Sequence, residues 1–183
     1  MVLKIAWGIT GAGDYLPETI QVMKEALQRY NFKLTVFLSK AAIKVVKMYH
    51  LWKELEQITP KLLLEKDANT PFISGPLQKG AYNFLLVVPA TANTVAKIVV
   101  GIADTLVTNS VSQAHKGNIP IYILPVDQNP GSLTTVLPSG DTLTITTREV
   151  DIVNVEKLKA MKGITTLRHP SDIFEIIEQY LAL

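Results

Sequence analysis

The chain has 183 residues, of which 48% are hydrophobic and 19% are charged, and it contains no cysteine. The missing thiols exclude disulfides, thiolate metal sites and protein-bound iron–sulfur clusters within these residues, and a formal charge of +2 does not favour a nucleic-acid partner. The longest apolar run, at residues 84–88, is far shorter than the roughly 20 residues of a membrane-spanning helix. Because the amino terminus also lacks a signal-peptide pattern, we expect one cytoplasmic domain over residues 1–183, with no metal site.

The first half of the chain alternates predicted strands with predicted helices, as βαβ units of a parallel sheet do. A strand at residues 3–7 leads into a glycine-rich turn at residues 8–13 and then into a helix whose apolar residues recur at helical spacing. A second strand, at residues 34–38, ends at Ser39, where another helix begins. Between residues 50 and 80 the pattern is less regular, and its polar part, rich in glycine and proline, is interpreted as a loop.

The second half continues with two predicted strands, at residues 84–88 and 119–124, that lack polar alternation and suit the buried centre of a sheet. The first strand continues into residues 89–94 and a helix that ends at Gly101. A further helix, closed by Gly117, precedes the second strand.

The last third of the chain changes its period. Residues 133–136 and 142–147 alternate with period two around a turn, which predicts an antiparallel hairpin. A final amphipathic helix begins near Ser171, the predicted N-cap residue. The predicted fold class is therefore α/β: a three-layer, doubly wound, mostly parallel sheet, Rossmann-like or flavodoxin-like, with a peripheral β-hairpin.

The predicted ligand site lies at the carboxyl ends of the strands, where ligands bind in doubly wound sheets. Small residues and helix N-termini at these ends favour an anionic, phosphate-bearing ligand. Residues 8–13 lack the dinucleotide spacing Gly-x-Gly-x-x-Gly, the chain has no P-loop motif, and Ser39 stands where a ribose-binding carboxylate would be expected. Ser39 suits a terminal monophosphate instead. The alternatives are that the glycines only make tight turns and that Ser39 only caps its helix.

A family resemblance supports this interpretation. Residues 89–94, Pro-Ala-Thr-Ala-Asn-Thr, resemble the Pro-Ala-Ser-Ala-Asn-Thr segment of the flavoprotein superfamily that contains the homo-oligomeric flavin-dependent cysteine decarboxylases, dipicolinate synthase B subunits and flavin prenyltransferases. Residues 8–12, 38–42 and 101–106 match the same family in the same order, so the resemblance covers roughly residues 1–130. It implies the fold predicted above and FMN as the cofactor.

The resemblance also implies which residues contact FMN. They come from three loops: Gly11, Ala12, Gly13, Ser39, Thr91, Ala92, Asn93 and Thr94. Gly11 to Gly13 and Ser39 would surround the phosphate, although Gly13 replaces a serine that is frequent in the family. The Asn93 amide would lie near both the isoalloxazine and the substrate, which makes Asn93 the candidate catalytic residue. Its alternative role is a helix cap.

Membership of the superfamily does not determine the reaction. The chain has no histidine between His50 and His115, and residues 125–141 contain neither Met nor Trp, so it lacks the histidine and the substrate clamp of the cysteine decarboxylases. It also lacks the Arg-Glu pair that prenyltransferases carry after the fifth strand. Residues 7–13 and 124–128 resemble instead the archaeoflavoproteins and the dihydromethanopterin reductases (acceptor).

That resemblance implies electron transfer through FMN, from reduced ferredoxin or a similar donor to an acceptor such as a pterin. Asn93, Asp127 and Gln128 would then orient the ring edge or the acceptor, whereas Asp127 and Gln128 could alternatively be simple turn residues. A prenyltransferase or decarboxylase completed by residues from elsewhere, and a non-catalytic flavin-binding protein, stay open. Relatives assemble from trimers, so we expect a trimer-based homo-oligomer. A lysine face at Lys40, Lys44 and Lys47 is either solvated or a docking surface for acidic ferredoxin.

Overall fold

The computed structural model describes residues 2–59 and 62–182, which form a parallel sheet with helices on both faces. The strands are β1 (Leu3–Ile9), β2 (Phe32–Leu38), β3 (Leu62–Leu64), β4 (Phe84–Ala90), β5 (Ile121–Pro125), β6 (Ser132–Val136), β7 (Thr142–Thr146) and β8 (Ile164–Thr166). The helices are α1 (Leu16–Arg29), α2 (Lys40–Met48), α3 (Trp52–Ile58), α4 (Ser74–Gln78), α5 (Ala92–Val99), α6 (Leu106–Lys116), α7 (Glu149–Lys159) and α8 (Asp172–Leu181).

The strand order of the large sheet is β3-β2-β1-β4-β5-β8, and every pairing in it is parallel. From β1 the chain proceeds outward through β2 and β3, and it then returns to place β4 on the other side of β1. The order therefore reverses between β1 and β4. Such a switch point opens a crevice at the carboxyl ends of the two strands, and this is where doubly wound sheets bind ligands.

Two separate apolar clusters hold the three layers together. One contains the buried residues of α1, α2, α3 and α8 together with Trp7, and the other contains those of α4 to α7 together with Phe37. Trp7 is fully buried and its indole N–H donates to the carbonyl of Val88 at 3.0 Å. Because β4 is buried on both faces along its whole length, the sheet carries helices on both sides, as its apolar sequence predicts. The predicted fold class is confirmed.

The hairpin is confirmed as a separate two-stranded sheet. β6 and β7 pair antiparallel, with Ser132 opposite Thr146 and Val136 opposite Thr142. Its turn uses Gly140 at a φ of 91°, a backbone conformation that favours glycine. The helix ends predicted at Gly101 and Gly117 are also confirmed.

Several short or weakly patterned elements were missing from the sequence prediction. The segment interpreted as a loop contains α4, and β3, α7 and β8 were not predicted at all. β3 and β8 have only three residues each, which is too short for a periodic pattern. In α7, apolar residues occur on more than one face, because Val150 and Val153 are exposed while Val155 and Leu158 are buried.

The predicted cap at Ser171 is wrong in its chemistry. Ser171 occupies the N-cap position of α8, but its side chain accepts no hydrogen bond from the helix. The first N–H groups of α8 donate instead to backbone carbonyls of residues 169–171. The Asp172 carboxylate accepts from the N–H groups of Arg168 and His169, at 2.8 and 3.1 Å, and thus holds the preceding loop against the helix. Among the described residues, every helix is too short or too polar to cross a bilayer.

The side chain of Glu65 connects the starts of α2 and α6. This buried carboxylate follows β3 and accepts from the Lys40 N–H at 2.7 Å through one oxygen and from the Leu106 N–H at 2.8 Å through the other. These N–H groups are the first of α2 and α6, which have no acceptor inside their own helices. A negative charge is also favourable at the positive end of each helix dipole. Glu65 thus fixes the starting points of both helices.

We expect Glu65→Ala to lower the free energy of unfolding by about 2 to 3 kcal/mol, because it removes two charge-assisted hydrogen bonds and leaves the buried Leu106 N–H without an acceptor. Glu65→Gln should give a smaller loss, since its one carbonyl oxygen can serve only one of the two helices. Urea denaturation followed by circular dichroism measures both. The control is Glu56→Ala, which truncates an exposed glutamate of α3. Equal stabilities for Glu65→Ala and this control would contradict the assignment.

Candidate functional site

Thr10 connects the two loops that face each other across the switch point. Its side chain is buried, donates to the Pro89 carbonyl at 2.9 Å and accepts from the Thr91 N–H at 2.9 Å. The Thr10 N–H also donates to the Pro89 carbonyl, at 3.2 Å. One threonine therefore fixes the loop after β1 against the loop after β4. Thr10 lies in the segment of residues 8–12 that resembles the family, but its role in joining the two loops has no signal in the sequence.

The loop after β1 is shaped to accept an anion. In the part of the chain that the structure describes, the N–H groups of Gly11, Ala12 and Gly13 donate to no acceptor. A Cβ at Gly11 would lie 2.6 Å from the Cβ of Ala41, so only glycine lets this loop pack against the start of α2. These three N–H groups are donors that an anionic ligand could use.

Gly13 is the position where a serine is frequent in the resembling family. A Cβ at Gly13 would overlap the hydroxyl of Tyr49, which follows α2. Tyr49 thus occupies the space that a serine side chain would need. The replacement leaves the backbone N–H as the only donor at this position.

Ser39 and Thr91 are the N-cap residues of α2 and α5. The Ser39 hydroxyl accepts from the Ala42 N–H at 3.0 Å, and the Thr91 hydroxyl accepts from the Thr94 N–H at 3.2 Å. The capping role predicted as an alternative for Ser39 is confirmed. It does not compete with ligand binding, because a hydroxyl that accepts from its helix still has its own hydrogen to donate.

Asn93 and Thr94 lie in the first turn of α5 and differ in exposure. Asn93 is exposed, and its side-chain amide has no hydrogen-bond partner among residues 2–59 and 62–182. Its alternative role as a helix cap is wrong, because Thr91 caps α5. Thr94 is buried, and its hydroxyl lies 3.0 Å from that of Thr91. Asn93 is therefore free to contact a ligand, whereas Thr94 supports the loop.

Asp127 lies beside the start of α5, although it follows a different strand. Its carboxylate lies near the Ala92 N–H, which favours the charged form of the carboxyl. Burial raises the pKa of this carboxyl, and the negative charges of Asp151 and Asp14 raise it further, against the opposing effects of the Ala92 N–H and Arg148. The structure thus brings Asp127 to the predicted flavin loop.

Gln128 is less closely associated with that loop. Its amide donates to the Arg168 carbonyl at 3.5 Å, a long hydrogen bond that directs it toward the end of β8.

Arg148 forms an ion pair with Asp151, at 2.7 Å, in the first turn of α7. The unpredicted helix α7 therefore supplies charges around Asp127.

A cavity of about 560 Å³ lies between the loop after β1 and the hairpin. The Thr135 hydroxyl donates to Asp14 at 2.5 Å and joins β6 to this loop, and the Tyr49 hydroxyl, at the end of α2, donates to the Val136 carbonyl at 3.0 Å. Burial, and then the Asp14 carboxylate, raise the pKa of the Tyr49 hydroxyl. This cavity was not predicted, because its walls come from residues more than 80 positions apart in the sequence.

The candidate site therefore has two neighbouring parts. The anion-binding loop, Ser39 and the start of α5 form one, which we call the cradle, and the cavity under the hairpin forms the other. Gly13 belongs to both. Ser39, Asn93 and Asp127 do not line the cavity. The described residues contain no group of three or more Asp, Glu or His side chains that could hold a metal ion.

Sequence comparisons identify relatives over nearly the whole chain. The model of the flavoprotein family matches residues 2–181. An uncharacterized protein of Methanocaldococcus jannaschii is 51% identical, over 98% of this chain and 97% of that protein. A dihydromethanopterin reductase (acceptor) of Methanosarcina mazei is 32% identical, over 94% of this chain and 98% of that enzyme.

A structural comparison agrees with the sequence relatives. The crystal structure of Burkholderia xenovorans DmrB in complex with FMN, described as a cubic protein cage for redox transfer, superposes with a TM-score of 0.81. It is 28% identical, and the match covers 98% of this chain and 96% of that chain. These findings confirm the predicted superfamily and its dihydromethanopterin reductase branch as the relatives of this chain.

The electrostatic environment of Asp127 predicts a pH-dependent effect on stability. Because its pKa is raised in the folded state, the native protein binds this proton more tightly than the unfolded chain. Stability contributed by this group is therefore lost as the pH rises from the unfolded value of 3.8 through the folded pKa. We expect Asp127→Asn to be more stable than the parent protein at pH 7, with the difference shrinking as the pH falls toward 3.8.

Thermal unfolding between pH 3.5 and pH 8 measures this difference. The matched variant is Asp104→Asn, which removes an exposed carboxylate whose pKa is lowered by Lys97. That variant should not gain stability at pH 7, because it loses a favourable ion pair. A destabilised Asp127→Asn at neutral pH would show that favourable contacts of the carboxylate, such as the one with the Ala92 N–H, outweigh the repulsion. A gain independent of pH would show that the effect does not come from titration of Asp127.

Proposed function

The chain belongs to the flavoprotein family, and on this basis we propose that it binds FMN and uses it to transfer electrons from a protein donor to a small-molecule acceptor. The observation that carries the proposal is the cradle at the switch point, with three free N–H groups beside the Ser39 hydroxyl. The DmrB complex with FMN supports the choice of flavin. FMN, when bound, supplies the capacity to accept and release electrons.

The residues present in the cradle suit a flavin monophosphate. We propose that Gly11, Ala12 and Gly13 donate their N–H groups to the phosphate and that Ser39 donates its hydroxyl. The start of α2 adds a favourable dipole of about 0.3 to 1 kcal/mol per anionic group. Glu65 limits this contribution, because it already accepts from the Lys40 N–H.

The start of α5 suits the rest of the cofactor. We propose that Thr91, Ala92 and Asn93 lie along the flavin, with the exposed Asn93 amide able both to donate and to accept at the ring edge or the acceptor. Asp127 lies near the Ala92 N–H of the same loop and is proposed to orient the ring edge. Gln128 shares that proposed role less directly, since it leans toward Arg168.

We further propose reduced ferredoxin, or a similar protein, as the electron donor. These 183 residues contain no cysteine, so they hold no thiolate-bound cluster, and electrons must reach the flavin from a partner. Lys40, Lys44 and Lys47 are exposed on α2, the helix that begins at the cradle. A cationic surface there suits an acidic donor protein.

A pterin is the proposed acceptor. The support comes from the relative named dihydromethanopterin reductase (acceptor), which aligns over 94% of this chain. The cavity beside the cradle offers space for such an acceptor. It does not suit the prenyl phosphate of the alternative function, because Asp14 and Glu18 would repel a phosphate.

We also propose a homo-oligomer built from trimers. DmrB is described as a cubic cage, and it covers 98% of this chain. Large apolar side chains are exposed at the end of α5 and on α7, where Val100 is 64% exposed and Val150 is 52% exposed. Burying such side chains against a neighbouring copy would be favourable.

The phosphate assignment predicts a separation of stability from binding. Ser39→Asp keeps an N-cap acceptor of similar quality, so the FMN-free protein should keep its stability within about 0.5 kcal/mol. The new carboxylate repels the phosphate, so we expect the Kd for FMN to rise at least about tenfold. The matched variant Ser39→Ala should lose about 1 kcal/mol of stability through the lost cap. Flavin fluorescence titration and urea denaturation measure the two effects.

Parent protein without flavin absorbance and without affinity for added FMN would overturn the proposed function. Parent protein that binds FMN, together with Ser39→Asp that binds it equally tightly, would instead overturn only the placement of the phosphate at Ser39. The two results are distinguishable, because the first is seen with the parent protein and the second only with Ser39→Asp.

The donor proposal predicts a charge-dependent rate. We expect Lys44→Glu/Lys47→Glu to slow reduction of the FMN-loaded protein by reduced ferredoxin about tenfold at low ionic strength, with a smaller effect at high salt. Stopped-flow spectroscopy measures the rate. The control is Lys4→Glu/Lys33→Glu. It makes the same charge change on two exposed lysines that lie opposite each other in neighbouring strands, at the amino ends of β1 and β2. Equal rates for both double variants would contradict docking at α2.

A further inference from the structure

The cavity under the hairpin has the size and position of a second binding site. Its volume of about 560 Å³ lies within the range of small-molecule sites. It borders Gly13, the last glycine of the cradle, and also Val126, the neighbour of Asp127, so a molecule inside it would lie next to both the phosphate and the ring edge of a flavin held by the cradle. The predicted FMN residues other than Gly13 contribute nothing to its walls.

The walls of the cavity combine aromatic rings with negative charge. Tyr15 and Tyr49 provide the aromatic surface, and Asp14 and Glu18 provide two carboxylates. Among the described residues, no Lys, Arg or His lines the cavity. An anionic group would therefore meet repulsion without a compensating cation. A neutral or cationic planar molecule with N–H donors would instead find both stacking surface and acceptors.

Asp14 is held in one orientation while retaining free acceptor capacity. One of its carboxylate oxygens, Oδ1, accepts from the Thr135 hydroxyl at 2.5 Å. The other oxygen has no partner in the part of the chain that the structure describes. Fixing one oxygen through the hairpin orients the carboxylate, and the second oxygen remains able to accept from a ligand.

We propose that this cavity binds the electron acceptor and that it selects a planar heterocycle with an exocyclic amino group, recognised by the Asp14 carboxylate. This inference rests on the proposed function, because an acceptor in the cavity is useful only beside a flavin in the cradle. Asp14 acts as a specificity-determining residue, and Thr135 positions it. The hairpin, which the sequence predicted only as a peripheral element, thereby forms one wall of the acceptor site.

Two pteridines that differ in one donor test the proposal. Pterin carries a 2-amino group, and lumazine carries a carbonyl oxygen at the same position. We expect FMN-loaded protein to bind pterin about tenfold more tightly than lumazine, or better, because lumazine turns an acceptor toward the carboxylate. In Asp14→Asn the preference should fall to less than about threefold, since the Asn amide can donate to lumazine and accept from pterin. Calorimetric titration measures all four affinities.

The FMN content of each protein is recorded in the same experiment. Asp14→Asn should retain FMN, and the matched variant Asp104→Asn, whose carboxylate lies outside the cavity, should keep the parent preference. Parent protein that holds FMN but binds the two pteridines equally would overturn the cavity inference and leave the proposed function intact. An unchanged preference in Asp14→Asn would also overturn it. Parent protein that holds no FMN would overturn the proposed function and this inference with it.

Discussion

The hydrogen bonds of Thr10 are the constraint on which the candidate site depends. The strand order reverses between β1 and β4, so the loops that follow them diverge and leave a crevice. A crevice can bind a ligand with defined geometry only if its two sides are held together. The Thr10 hydroxyl does this by donating to Pro89 and accepting from Thr91 in a buried environment, where an unmade hydrogen bond would cost about 1 to 3 kcal/mol.

Charge divides the site into two parts with opposite preferences. On the cradle side, free N–H groups and helix N-termini attract an anion. On the hairpin side, Asp14 faces the cavity without a cation among its described lining residues, and its charge adds to the burial that raises the pKa of Asp127. Glu65 weakens the attraction at the starts of α2 and α6, because it accepts from one N–H of each helix. Electrostatics would thus favour a bound anion in the cradle and an acceptor rich in N–H groups in the cavity, whatever the shapes of the two sites.

Patterns of sequence predicted most of the sheet and the cradle but not the second part of the site. The strand β4 carries a continuous apolar run, the long strands β1 and β2 are mostly apolar, and the ends of all three carry the small and hydroxylated residues of the resembling family. In contrast, α7 has apolar residues on several faces, and its Asp151 and Arg148 were not associated with Asp127. Asp14, Tyr49 and Thr135 have no local pattern, because each acquires its role only through contact with another element.

The sequence by itself determined the fold class, the superfamily and the loops at the strand ends, because apolar periodicity and short motifs are local properties of the chain. Only the tertiary structure decided that Thr91 rather than Asn93 caps α5, that Tyr49 fills the space beside Gly13, and that Asp127 lies near the start of α5. Each of these depends on which residues meet after the sheet has formed. Hydrogen bonds and electrostatic interactions act over a few ångströms in space, whatever the separation along the chain.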